Sequence, residues 1–450
     1  MDEEQQFPAP LVHPLGWPAP GTSTTVYRGP LLGVMPDGAE VTFPGELALT
    51  WELKPLATWS PADPNLDARL IDDVPGPAGG TEFLTANSPM PLDHPGESRV
   101  RNLRAHTQLG DGADLDRVVF FLGTGLQSAR WDRIQSPDDP HPVRGRLTIP
   151  FAEWIITIDQ SSDEAMFKRL RRQNGGWAFT HLCEIVRADG ANFDASVALP
   201  IVQGIATAFT FTVGREINAA LTTGTYKGEI RWAYFGKPGF TGWSTPWSWS
   251  DTQRDAEQLR ELLPLWLAKW RDPDHRHTLS LAAGYHFVAN RTEPVDSGLA
   301  TAISALLLLA EHTDPGQFAA DPSVSQQVRS FLSRCSIDVQ PRPNYPELEK
   351  AGIDYFAAEL AKPRSGKKPW LKVPPDSVDS VVYARNVVVH PKARERSTVA
   401  NRVWHQAWAL STEWLTLGIL HWLGYTGTYA SRTLAGVRWH GAVEQVPWAP

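Results

Sequence analysis

Arg385, Asn386 and His390 are the residues of this chain whose types and spacing best suit a chemical step; they lie in the run R-N-V-V-V-H at 385–390. Histidine titrates near neutral pH, so it can take a proton from a ribose 2′-hydroxyl or give one to a departing 5′-oxygen. Arginine holds two phosphate oxygens in a fork and opposes the charge that grows in the transition state, a contribution of about 3 kcal/mol per preorganised donor. Asparagine can orient either partner. With the 2′-hydroxyl of RNA as the nucleophile, the step needs no Ser or Cys, no metal and no other cofactor. A strand lacking that hydroxyl should resist cleavage.

Such a trio has to be carried on a helix, and the surrounding sequence supplies one over 376–390. Asp376 or Ser377 suits its N-cap, while Val378, Val381, Val382, Val388 and Val389 give it an apolar side. Pro391 disfavours helical geometry at His390 and so puts the histidine at the helix end. Residues four apart stand nearly one above the other, which aligns Asn386 with His390 and leaves Arg385 one step round the cylinder.

Further helices are predicted over 254–270 (bent at Pro264), 277–290, 296–312 (capped by Asp296 or Ser297), 321–334, 345–360 and about 397–423. A basic, Pro-rich loop, 361–375, precedes the motif helix. Beyond His390, the side chains of Lys392, Arg394 and Arg396 are placed to track an RNA backbone.

An Arg followed by a polar residue, three further residues and a His at the end of a bundle helix resembles the signature of HEPN domains, and Y-A-R-N-V-V-V-H-P looks like many prokaryotic members. The resemblance takes in the apolar helix near 298–312, the basic insertion, the motif helix and the closing helix with GYTGTYASR at 424–432. It implies an all-α bundle and a homodimer whose two motif helices form one composite RNA-cleaving site, leaving a 2′,3′-cyclic phosphate. Lys392 stands where some members carry a tyrosine modified by a partner enzyme, which argues against a toxin–antitoxin arrangement. A β-rich front half before such a domain also resembles ApeA-like proteins of bacterial phage defence, which implies a role in abortive infection.

The front half reads as strands at 41–53, 116–125, 146–159, 206–214 and 228–236, with one helix at 163–173 and Pro, Gly and Asp clusters between them. The expected fold class is therefore α+β and multidomain. A sandwich-like β-rich region, 1–250, binds an unknown ligand or trigger; an HEPN-like helical domain, 251–435, and a short tail, 436–450, follow.

Composition bounds the rest. Of 450 residues, 42% are hydrophobic and 20% charged, the balance of a chain that buries full cores. The net charge of −8 excludes a generally basic surface, so any polyanion site must be local. Two cysteines, Cys183 and Cys335, are too few for a disulfide scaffold and read as buried thiols. An acidic N-terminus and the lack of a run of roughly 20 apolar residues predict a cytoplasmic protein with no membrane segment.

Two other readings stay open. The helical domain could serve only to dimerise or bind RNA, without catalysis. Alternatively the 19 tryptophans, with Trp243, Trp247 and Trp249 close together, could make a carbohydrate platform. His275 and His277 are expected in a short interhelical turn, as structural residues rather than metal ligands.

Overall fold

The computed structural model describes residues 7–18, 22–34, 40–51, 55–61, 83–86, 102–106, 108–110, 112–125, 128, 130–135, 141–173, 178–234, 248–251, 254–291, 295–318, 322–339, 346–361, 376–390, 401–433 and 443–450. The chain divides into two compact units. One holds 1–206 and 216–245; the other holds 207–215 and 246–450.

The first unit is built on antiparallel sheets. β1 (Ser23–Val34), β2 (Glu40–Trp51), β3 (Pro55–Pro61), β4 (Phe83–Ala86) and β5 (Asn102–His106) form a five-stranded sheet in the order β3-β2-β1-β5-β4. The second sheet has eight strands in the order β6-β13-β12-β7-β11-β10-β9-β8. These are β6 (Gln108–Leu109), β7 (Arg117–Gly123), β8 (Asp132–Ile134), β9 (Val143–Phe151), β10 (Trp154–Gln160), β11 (Phe179–Arg187), β12 (Ala219–Tyr226) and β13 (Glu229–Tyr234).

Central strand β7 buries Val118, Val119, Phe120, Phe121 and Leu122 completely. Consecutive side chains point to opposite faces, so both faces of the sheet are covered there. Helix α1 (Glu164–Gln173) falls where the sequence places it, and its Met166, Phe167 and Leu170 cluster with Ala178.

One expectation is overturned. The stretch 206–214, read as a strand, is the C-terminal part of a 19-residue helix, α2 (Ala195–Val213). Its alternating Phe and Thr residues imitate a strand, but a short apolar run is ambiguous by periodicity, and the preceding apolar residues extend it to helical length. Its first residues belong to the first unit and its last to the second.

The second unit is helical. It comprises α3 (Asp255–Trp270), α4 (Pro273–Ala289), α5 (Val295–Thr313), α6 (Pro315–Phe318), α7 (Val324–Arg334), α8 (Pro346–Ala361), α9 (Ser377–Val389) and α10 (Asn401–Leu423), closed by a β14 (Thr428–Ala430) and β15 (Val443–Gln445) pair. Helix α10 is its axis: it packs against α3, α4, α5, α8 and α9 and is buried without interruption from Gln406 to Leu420.

Helix starts are set by local chemistry. Ser323 and Gln326 make a reciprocal capping box at α7, and Asp272 caps α4 with Pro273 at its first position. That start places His275 and His277 inside the first turns of α4, correcting the expected interhelical turn. Val295 opens α5, so Asp296 lies within its first turn instead of before it.

Helices α2 and α5 both have the length and apolar composition of a membrane span, which the sequence reading did not anticipate. Within the fold, 67% of the most apolar window of α2 and 44% of that of α5 are buried. Cys183 and Cys335 are free, buried thiols, as expected.

Candidate functional site

Helix α9 begins where Asp376 accepts a hydrogen bond from the backbone N–H of Asp379 at 2.9 Å. The same carboxylate receives Nε and Nη2 of Arg329 at 2.8 and 3.0 Å, and Nη2 also reaches Asp379 at 2.9 Å. This fork ties α7 to the first turn of α9, and the two carboxylates raise the proton affinity of Arg329.

The β-branching of six valines disfavours an isolated helix of this sequence only mildly, by a few tenths of a kcal/mol per residue. Burial outweighs that cost, since Val378, Val381, Val382, Ala384 and Val387 pack inward against α5, α8 and α10 at roughly 1.5–3 kcal/mol for a fully buried valine.

Close approach of α8 depends on Gly352. A Cβ at that position would fall 2.0 Å from Oγ of Ser380. The two helices then stack Tyr355 on Tyr383, ring centroids 4.0 Å apart and planes inclined by 24°.

The helix ends at His390, whose φ of −120° and ψ of 65° leave the helical region while its N–H still reaches the Asn386 carbonyl at 2.9 Å. Asn386 and His390 are both exposed. Arg385 is half-buried at the edge of that exposed strip, and its Nη1 donates to Oδ1 of Asn386 at 3.0 Å. Its Nε is buried without a hydrogen-bond partner, and among the described residues no carboxylate pairs with its guanidinium. Burial alone therefore lowers its proton affinity, though arginine stays cationic at any physiological pH.

The arrangement is a partly desolvated cation hydrogen-bonded to an amide, with an exposed histidine four residues beyond that amide at the helix end. It suits an anion with two acceptor oxygens. Lys392, Arg394 and Arg396, and the basic loop from 362 to 375, lie outside the described residues.

The motif falls inside a domain with a known relative. This chain resembles YopA. Residues 110–246 match the family described as YopA central domain, and residues 272–445 match the YopA C-terminal domain. A Bacillus subtilis (strain 168) relative, described as an SPbeta prophage-derived uncharacterized protein YopA, is 26% identical over 320 residues. That match covers 68% of this chain and 66% of the relative, just under two thirds of the relative's length. No solved structure matches this chain.

Two features escaped the sequence reading. In the helical unit, Glu413 is buried on α10 and accepts from the Ser431 hydroxyl at 2.6 Å and the Arg432 N–H at 3.0 Å, while the Arg432 guanidinium donates to Asn290. Nearby, His286 is fully buried against the Thr416 hydroxyl, and burial drives its proton affinity well down. A single acid within the apolar run ALSTEWLTLGIL was the available signal, because a buried charge demands partners.

In the β-rich unit, residues 8–18 form an arm held by polar contacts. Asp159 accepts from the Leu11 N–H at 2.6 Å and from Arg146, which also donates to the Ala9 carbonyl at 2.8 Å. The arm borders a cleft of about 400 Å³ whose walls include Leu11, Trp17, His141, Ser162, Asp163 and Met166. Trp249, one of the three residues considered as a sugar platform, is instead sealed in the helical unit against Phe211 and Tyr425. Trp243 and Trp247 lie outside the described residues.

Proposed function

We propose that this chain is an endoribonuclease that works without a metal, its helical unit acting as an HEPN-type bundle. Arg385 clamps the scissile phosphate, Asn386 orients it, and His390 transfers the proton. The observation that carries the reading is the half-buried guanidinium of Arg385, hydrogen-bonded to neutral Asn386 and lacking a carboxylate among the described residues, one turn from exposed His390.

In the proposed step the ribose 2′-oxygen bonds to phosphorus as its proton leaves to a base, and the bond to the 5′-oxygen breaks as that oxygen gains a proton. The products are a 2′,3′-cyclic phosphate and a 5′-hydroxyl. One imidazole cannot serve both transfers at once, so a homodimer presenting two His390 side chains to one strand suits the chemistry.

The β-rich unit, read as a sandwich-like sensor, binds a trigger in the cleft beside the arm. A prophage-derived relative is consistent with a setting in conflict between phage and host, and with a cytoplasmic place of action.

The test is to incubate the full chain with total RNA in EDTA beside its His390→Ala variant. Cleavage by the wild type alone supports the reading. Equal inactivity of both, with RNA still bound, favours a non-catalytic RNA-binding role.

A further inference from the structure

On α9, successive residues turn by about 100°, so Asp379, Tyr383, Asn386 and His390 follow one another along a single strip. Tyr383 and His390 lie almost in line, seven residues or about 10 Å apart along the axis. Arg385 borders the strip on the opposite flank from Tyr383. Asn386 and His390 are exposed, and Tyr383 and its stacking partner Tyr355 are each partly exposed.

The pair is a prebuilt aromatic surface. Tyr355 supports Tyr383 from α8 at 4.0 Å, in a helix contact made possible by Gly352. Tyr383 is further fixed by the packed helix that carries it, so little side-chain entropy remains to be lost on binding a planar group.

We infer that Tyr383, backed by Tyr355, is the stacking platform for an unpaired nucleobase of the strand whose phosphate lies at Arg385. This rests on the ribonuclease reading for the identity of the strand. The substrate class follows from the chemistry: bases in a duplex are already stacked on their neighbours, so only single-stranded or looped RNA can offer a free base face. Every base has such a face, so the platform selects strand state over sequence.

The test uses full-length protein and a single-stranded 2′-deoxy oligonucleotide carrying one 2-aminopurine, whose fluorescence is quenched on stacking and which the proposed reaction cannot cleave. Wild type and Tyr383→Phe should quench it alike. Tyr383→Leu should bind roughly tenfold more weakly and lose the quench.

Undiminished quenching with Tyr383→Leu, or none with the wild type, overturns the platform. If Tyr383→Leu fails to fold by circular dichroism, Tyr383→Trp decides: a larger ring must tighten binding, and unchanged affinity overturns the proposal. Cleavage of the matching ribo-oligonucleotide by the wild type is measured in parallel. Its absence retires the nuclease reading, while the quench alone judges the platform.

Discussion

Arg329 grips Asp376 through two hydrogen bonds of 2.8 and 3.0 Å, so the residue that caps the motif helix is itself held by the neighbouring helix. Asp376 thus serves two partners at once: the Arg329 fork and the N–H of Asp379.

Loss of either residue should destabilise the bundle unequally. Arg329→Ala removes a partly exposed pair and should cost about 1 kcal/mol. Asp376→Ala removes the cap as well and should cost about 2 kcal/mol. Urea unfolding of the two variants and the double variant would measure both; a double variant somewhat worse than Asp376→Ala is expected, since Arg329 keeps its bond to Asp379 when Asp376 is gone.

Arg385→Lys keeps the positive charge and loses the planar fork. If the guanidinium clamps a phosphate, single-turnover cleavage should fall by about 10²-fold in this variant. A rate within twofold of wild type would show that only charge matters there.

His13 makes stability of the β-rich unit depend on pH. Its Nδ1 accepts from the Leu15 N–H at 3.1 Å, so Nε2 carries the proton that it donates to the Leu221 carbonyl at 2.8 Å. Burial lowers its pKa to about 4, against 6.5 when exposed. The unfolded chain therefore binds more protons between those values, and stability falls as pH drops from about 6.5 to 4, then levels off. The full loss is about 3 kcal/mol. His13→Gln should flatten that slope in denaturation curves taken at pH 7 and pH 4.5.

Glu413→Ala should be among the costliest single changes. It strands the buried Arg432 N–H and takes one partner from the Ser431 hydroxyl, at about 3 kcal/mol. Glu413→Gln keeps an acceptor and should lose less. The difference in thermal midpoint between the two variants separates the missing charge from the missing hydrogen bonds.

Gly352→Ala should also destabilise, by about 1–3 kcal/mol, because the new methyl collides with Ser380 on α9. Pairing it with Ser380→Gly should restore much of the loss, which calorimetry would register.

The motif helix was legible because its signals are local: a cap at Asp376, inward Val378, Val381 and Val382, and Pro391 after His390; the stripe was misjudged only at its end, where Val387 is buried and Val389 exposed. The cluster of Asn290, Glu413 and Arg432 was not, since Asn290 lies more than a hundred residues from the other two and only the fold brings it to them. Misreading 206–214 has a different cause. Phe209, Thr210, Phe211 and Thr212 alternate as a strand would, and what overrides that pattern is packing. Phe211 fits against Trp249, Trp266 and His286.

That misread segment has a practical bearing on dissecting the chain. A fragment starting at Pro246 would look complete by sequence, yet it would lack Thr207–Arg215. Its severed edge would bare the seat of Phe211 and leave the Asn290 amide without the Gly214 carbonyl it meets at 2.8 Å. Such a piece should clump or come apart when expressed alone, and any assay run on it would report the cut instead of the whole protein.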